Sequence, residues 1–314
     1  MHTFLFHIFY SAIKVFSLLP LRAQYIISDI SFVLMYYIIG YRKKVVMSNL
    51  QNSFPEKTTR ELKKIARGFY FHLADSFIES TAQVSFTKKE ILKRFRYRNP
   101  EVFQKYFDQG KSIILVMAHY SNWEWSSGLP LATGHKVLAA YKPINNNAID
   151  KLFIKIRSKF GVEPVPMLHV MKHMLHYQRR ENTPTVTMLI ADQRPIRRNV
   201  RYWTTFLNQE TPVLLGPEKF GKKTNNAVIY LKVEKIRRGY YEADLVELFE
   251  HPKDTTEYQI TEKHLRELEK QIRIKPEYWL WSHRRWRHDR QKVEEWQRKV
   301  REEHRDKTIQ KENE

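Results

Sequence analysis

Apolar residues fall into three patterns along this chain: two long runs near the start, a helical repeat after them, and then a series of short blocks. The first runs are Met1 to Leu19 (MHTFLFHIFYSAIKVFSLL) and Ile26 to Ile39 (IISDISFVLMYYII), separated by Pro20 and Arg22. Lys14 interrupts the first and Asp29 the second, so neither is a clean span of roughly 18 uncharged residues. No small-residue cleavage pattern marks a removable leader. Arg42, Lys43 and Lys44 follow directly, and positive charge beside an apolar segment marks the cytoplasmic side of a membrane. The pattern predicts a membrane anchor over residues 1–45, either spanning or lying in the interface. A buried hairpin of core helices is the soluble alternative.

A turn at residues 52–58 (NSFPEKT) leads into a helix predicted from about Thr59 to Ser85, with Leu62, Ile65, Phe69, Leu73 and Phe77 on a helical repeat. Beyond Asn99-Pro100 the elements alternate. Strands are predicted at 112–118, 136–141, 164–167, 185–191, 227–235 and 242–250, and helices at 101–109, after Ser121, and at 147–160, 168–180, 212–222 and 259–273. Such alternation predicts an α/β fold, a layered domain over residues 46–287. From residue 288 to 314 charge dominates, predicting a solvated helix or tail.

Composition narrows the chemistry. With no cysteine, the chain has no disulfide, no thiolate zinc site and no Cys nucleophile. A formal net charge of +21 attracts polyanions: nucleic acid, anionic lipid headgroups or a small acidic carrier protein. The apolar N-terminus favours the last two.

The candidate chemistry centres on KSIILVMAHYSNWEW, residues 111–125, where a buried strand delivers His119 to its end and Glu124 stands five residues on. On a straight helix the two side chains would lie about 140° apart, so they converge only across a strand end, a tight turn and a helix start. His119 then acts as a general base on a hydroxyl, with Glu124 fixing its tautomer. The structural alternative is a capping box, in which Ser121 and Glu124 satisfy a helix N-terminus.

Five segments in order resemble the lipid A biosynthesis acyltransferase family, the late acyltransferases of the Kdo2-lipid A lauroyl and myristoyl kind. They are YRKKVVMSNLQNSFPEKT (41–58), AHYSNWEW (118–125), YKPINNNAIDKLFIKIRSKFG (141–161), ADQRP (191–195) with TPVLLGPEKFGKKT (211–224), and PEYWLWSHRRWR (276–287). The last is the most specific. The resemblance implies a glycerol-phosphate-acyltransferase-like mixed sheet flanked by helices, on an N-terminal anchor at the cytoplasmic face of the inner membrane. It implies acyl transfer from acyl carrier protein to a hydroxyl of a lipid A precursor, without metal or organic cofactor and without nucleic acid. His119 matches the family's catalytic histidine and Glu124 its acidic partner. Arg157 stands where the family has an arginine assigned to catalysis or to holding a phosphate. Asp192 and Gln193 match its Asp-Gln loop and, with Asn122, are the expected substrate contacts.

Other features admit two readings. His169, His173 and His176 share a helix face at a spacing that suits a metal, but no acid joins them on that face, and a polar face is the plainer account. Trp279, Leu280 and Trp281 with His283-Arg284-Arg285-Trp286-Arg287 suit a bilayer surface or a structural role better than stacking on bases. Two rivals to the functional reading remain: the same chemistry on a lysophospholipid or amino-acid-based lipid, and a non-enzymatic basic protein that binds membranes or nucleic acid.

Overall fold

A computed structural model describes residues 2–312, with side-chain surroundings for residues 9–303. The chain opens with helices α1 (His2–Ser17) and α2 (Leu21–Val33), the latter continued by a π-helical turn, Leu34–Ile38. Helices α3 (Lys43–Ser53), α4 (Thr59–Ala82) and α5 (Lys88–Arg94) follow, then β1 (Phe95–Tyr97), α6 (Glu101–Asp108) and β2 (Ile113–Met117). Next come β3 (Lys136–Tyr141), α7 (Asn147–Ser158), β4 (Glu163–Pro166), α8 (Val170–Arg180) and β5 (Thr185–Ile190). The chain continues through β6 (Trp203–Phe206), β7 (Gln209–Pro212), α9 (Gly216–Thr224), β8 (Ala227–Arg237), β9 (Tyr240–Phe249), α10 (Gln259–Ile274) and α11 (Arg290–Glu312).

Seven strands form one sheet in the order β1-β9-β8-β2-β5-β3-β4, parallel at every pairing except β8 with β9. Strand β2 (IILVM) is wholly buried, as a parallel strand covered on both faces must be. Its alternate side chains serve two cores. Ile114 and Val116 pack with α4, α8 and α10 residues such as Leu73, Met174 and Leu268. Ile113, Leu115 and Met117 pack on the opposite face with Phe103, Trp125 and Leu129. Truncating Leu115, which has no exposed surface, removes buried methyl groups at the centre of the sheet. Leu115→Ala is expected to cost about 2–5 kcal/mol in denaturant unfolding.

The α/β expectation holds, with the ends of the predicted strands within two residues of those observed. Helix α4 is shorter than predicted, ending at Ala82, and it starts with a capping box built from Thr58 and Glu61. Helices α3 and α5, strand β1 and the β6–β7 hairpin were not anticipated, and the helix expected after Ser121 is a 3-10 helix, Glu124–Leu131.

At the N-terminus no single helix among the described residues is long and apolar enough to cross a membrane. Phe9–Ser17 and Leu21–Ile38 pass that test only together, and they are bent by 118°. One face of α2, with Tyr25, Ser28 and Phe32, is buried; α2 packs on α4. The other exposes Ile26, Ile27, Ile30 and Val33.

Candidate active site

Strands β2 and β5 lie side by side and parallel, with Met117 opposite Ile190. In an open α/β sheet, groups just past the carboxyl ends of adjacent strands converge. His119 stands two residues beyond β2 and Asp192 two residues beyond β5. The Ala191 N–H donates to the Met117 carbonyl at 3.1 Å, which carries the parallel pairing into both loops.

The result is a close pair between residues 73 apart in sequence. His119 Nδ1 lies 2.7 Å from Asp192 Oδ1. Asp192 Oδ2 accepts from the His119 backbone N–H at 3.0 Å and from the Trp279 indole N–H at 2.9 Å. Burial alone would raise the Asp192 carboxyl. The His119 imidazole and these hydrogen bonds outweigh it and hold the group below the ordinary carboxylate range. An ionised Asp192 accepts only, so Nδ1 carries a proton, and in the neutral imidazole the lone pair is on Nε2. Gln193 Nε2 is 3.4 Å from that nitrogen, and the Trp123 ring meets the imidazole edge-on at 5.1 Å.

The turn after His119 is held from several sides. Ser121 takes a left-handed φ of 56°, and its N–H donates to the Tyr278 carbonyl at 2.9 Å. The Leu280 N–H donates to the His119 carbonyl at 3.1 Å. Asn122 is buried and doubly committed: Oδ1 accepts from the Trp125 N–H at 3.1 Å, and Nδ2 donates to Glu79 Oε2 at 2.6 Å.

Glu124, expected to orient the histidine, makes no hydrogen bond to it; the imidazole's Nδ1 is met by Asp192. The Glu124 carboxylate receives both arms of Arg157, Nε at 2.9 Å and Nη2 at 2.6 Å, and the Trp123 indole at 3.2 Å. The sharp turn swings Glu124 towards α7, while the sheet brings Asp192 to the imidazole instead. Neither does Glu124 form a capping box, since Ser121 Oγ is buried without a hydrogen-bond partner. For Arg157, burial favours the neutral form, but Glu124 and its hydrogen bonds prevail and raise the guanidinium further.

A cavity of about 320 Å³ lies on the other side of two residues that contact the imidazole. Trp123 and Gln193 both line it, as do Asn122 and Glu124. Leu73, Ser76, Phe77 and Ser80 of α4, Tyr41 and Arg42 just beyond the N-terminal helices, and Phe153, Leu280, Ser282 and His283 complete a mixed lining.

Residues 1–288 match the family described as bacterial lipid A biosynthesis acyltransferase. The chain belongs to that family. No curated protein matches it.

In this acyltransferase the aromatic and basic segment near residue 280 is built into the fold. Trp279 holds Asp192, Trp281 donates to the Pro276 carbonyl at 2.6 Å, and Trp286 donates to Thr211 Oγ1 at 2.7 Å. The histidine face on α8 is divided between separate carboxylates: His173 meets Glu163 at 3.0 Å and His176 meets Glu181 at 2.8 Å. Trp279 escaped sequence reasoning as a site residue. Its signal lay only in the density of the PEYWLW segment.

Proposed function

We propose that this lipid A acyltransferase moves a fatty acyl chain from acyl carrier protein to a hydroxyl of a lipid A precursor, with His119 as general base. The observation that carries the reading is the imidazole itself: Nδ1 is fixed on Asp192, which leaves Nε2 facing Gln193, a side chain that lines the cavity. The acceptor hydroxyl gives its proton to Nε2 as its oxygen attacks the thioester carbon. Collapse of the tetrahedral intermediate breaks the C–S bond, and the departing sulfur takes the proton from the imidazolium. Asp192 is a positioning residue that stabilises the imidazolium. Glu124 and Arg157 form a bidentate pair that fixes the loop carrying Trp123 against α7.

The same reading places the enzyme on the cytoplasmic face of the inner membrane. Exposed Ile26, Ile27, Ile30 and Val33 on α2 would enter the interface, and the bend between the apolar helices suits a hairpin lying there. The excess positive charge would recruit the acidic carrier. The glycerol-phosphate-acyltransferase-like character of the sheet belongs to this proposal too.

Mass spectrometry of lipid A and total lipids from cells lacking the protein tests it. Loss of one secondary acyl chain, restored by the native chain, is the expected result. Unchanged lipid A with a different acylated lipid missing would reassign the acceptor.

A further inference from the structure

Arg157, the expected phosphate ligand, is occupied by Glu124. Other cations near the site are not. Arg285 is only 1% exposed, yet Nε, Nη1 and Nη2 are all buried without a hydrogen-bond acceptor. A guanidinium carries five N–H donors, and a buried one without acceptors is a costly arrangement in a folded protein. Arg194, two residues beyond Asp192, has a buried Nε that is likewise unpartnered. Its Nη1 lies 3.2 Å from His288 Nε2, a nitrogen that also lies 3.0 Å from the Pro195 carbonyl.

These arginines belong to one neighbourhood. The segment carrying Arg285 is tied to the site by Trp279 on Asp192 and by Leu280 on the His119 carbonyl. Asn49 Nδ2 holds it from outside through the carbonyls of Trp281 and His283, at 2.9 and 3.0 Å. Burial pushes the Arg285 guanidinium down to about 10, with Asp192 opposing and Arg194 adding to the fall. Arg194 is lowered by burial and then by Arg287 and Arg284. Among the described residues no carboxylate pairs with any of these four arginines, and the one nearby acid, Asp192, is committed to His119 and Trp279.

We propose that Arg285 and Arg194, with Arg284 and Arg287 at the rim, form a phosphate-binding subsite beside the His119–Asp192 pair. Its ligand is a phosphate ester carried by one of the two substrates of acyl transfer, so the proposal rests on the functional reading above. An anion here supplies the acceptor oxygens that the buried N–H groups lack and relieves the repulsion among four like charges. The ester is either a phosphate on the lipid acceptor or the phosphodiester that links a carrier protein to its thiol arm.

Two measurements on the full-length chain test the subsite. The first is titration with inorganic pyrophosphate, followed by calorimetry, which needs no turnover. Binding to the native chain that weakens tenfold or more in Arg285→Gln and Arg194→Gln is expected. No binding to the native chain, or equal binding to both variants, overturns the proposal. Arg194 is only half-buried, so Arg194→Gln carries the test if Arg285→Gln fails to fold, as judged by circular dichroism.

The second is steady-state kinetics of the same variants. A tenfold or greater rise in KM, with a smaller change in kcat, is expected for one substrate. If that substrate is the acceptor, a dephosphorylated acceptor is insensitive to the substitution. If it is the donor, an acyl-pantetheine without the phosphate is insensitive. Both KM values within twofold of native in a folded Arg194→Gln variant refute the subsite. A native chain that transfers no acyl group refutes the functional reading instead, and the pyrophosphate titration still decides the anion site.

Discussion

His119→Ala is expected to lower the rate of acyl transfer by about 10²–10⁴-fold, the usual worth of a positioned general base. A hydroxyl is a weak acid, and the imidazole has an orienting carboxylate on Nδ1 while Nε2 makes only the long 3.4 Å contact with Gln193, which lines the cavity. The cost in stability is smaller. His119 is half-buried at the end of β2 and lies outside both apolar cores. Its loss leaves Asp192 with the backbone N–H and the Trp279 indole as donors, a deficit of about 1–3 kcal/mol. Initial rates with a labelled acyl donor, read beside a thermal melt, check both parts. A folded variant that turns over near the native rate removes His119 from the mechanism.

Asp192→Asn should be nearly as damaging, on the order of 10²-fold or more, because an amide offers no charge to stabilise the imidazolium and can hold the wrong tautomer. The substitution also leaves a signature in stability. Asp192 is held below its ordinary value near 3.8 in the folded chain. Its contribution is therefore complete above that value and is lost as pH falls through the lower folded-state value. The native chain should lose this increment on acidification, and the Asn variant should not. Coupling separates Asp192 from Glu124. Rates for Glu124→Gln and Arg157→Gln should be non-additive by about 0.5–3 kcal/mol, since the two share one bidentate pair. Strong coupling of Glu124 to His119, and none to Arg157, would restore Glu124 as the orienting acid.

Much of this was legible in the sequence because local rules decide it. A five-residue apolar block with β-branched residues, bounded by polar flanks, reads as a doubly covered strand, so β2 and the delivery of His119 were readable from IILVM and its surroundings. Five ordered motifs gave the family. What sequence could not supply was which strand lies next to β2. The nearest carboxylate along the chain is Glu124, whereas the nearest in space comes from β5 and is separated by the whole of β3, α7, β4 and α8. The β6–β7 hairpin was hidden for a local reason. Its turn places Leu207 at φ 49° and Asn208 at 62°, and leucine is no turn signal. Helix α3 starts from Arg42 in the left-handed region, without the side-chain cap that marks a helix start.

The buried Glu79 carboxylate joins parts that look separate in the sequence. Its oxygens accept from Tyr25 on α2, from Tyr241 on β9 and from Asn122 in the loop after His119, each at 2.6 Å. Nearby, Asp75 ties Ser28 of α2 to Lys235 and Arg238. The apolar N-terminus is thus half of a polar keystone whose other half is the loop after His119. Trimming the first forty residues to obtain a soluble fragment would strip donors from two interior acids and loosen the turn that aims the histidine. A fragment without those residues is therefore a poor substitute for the full chain in any assay of the site.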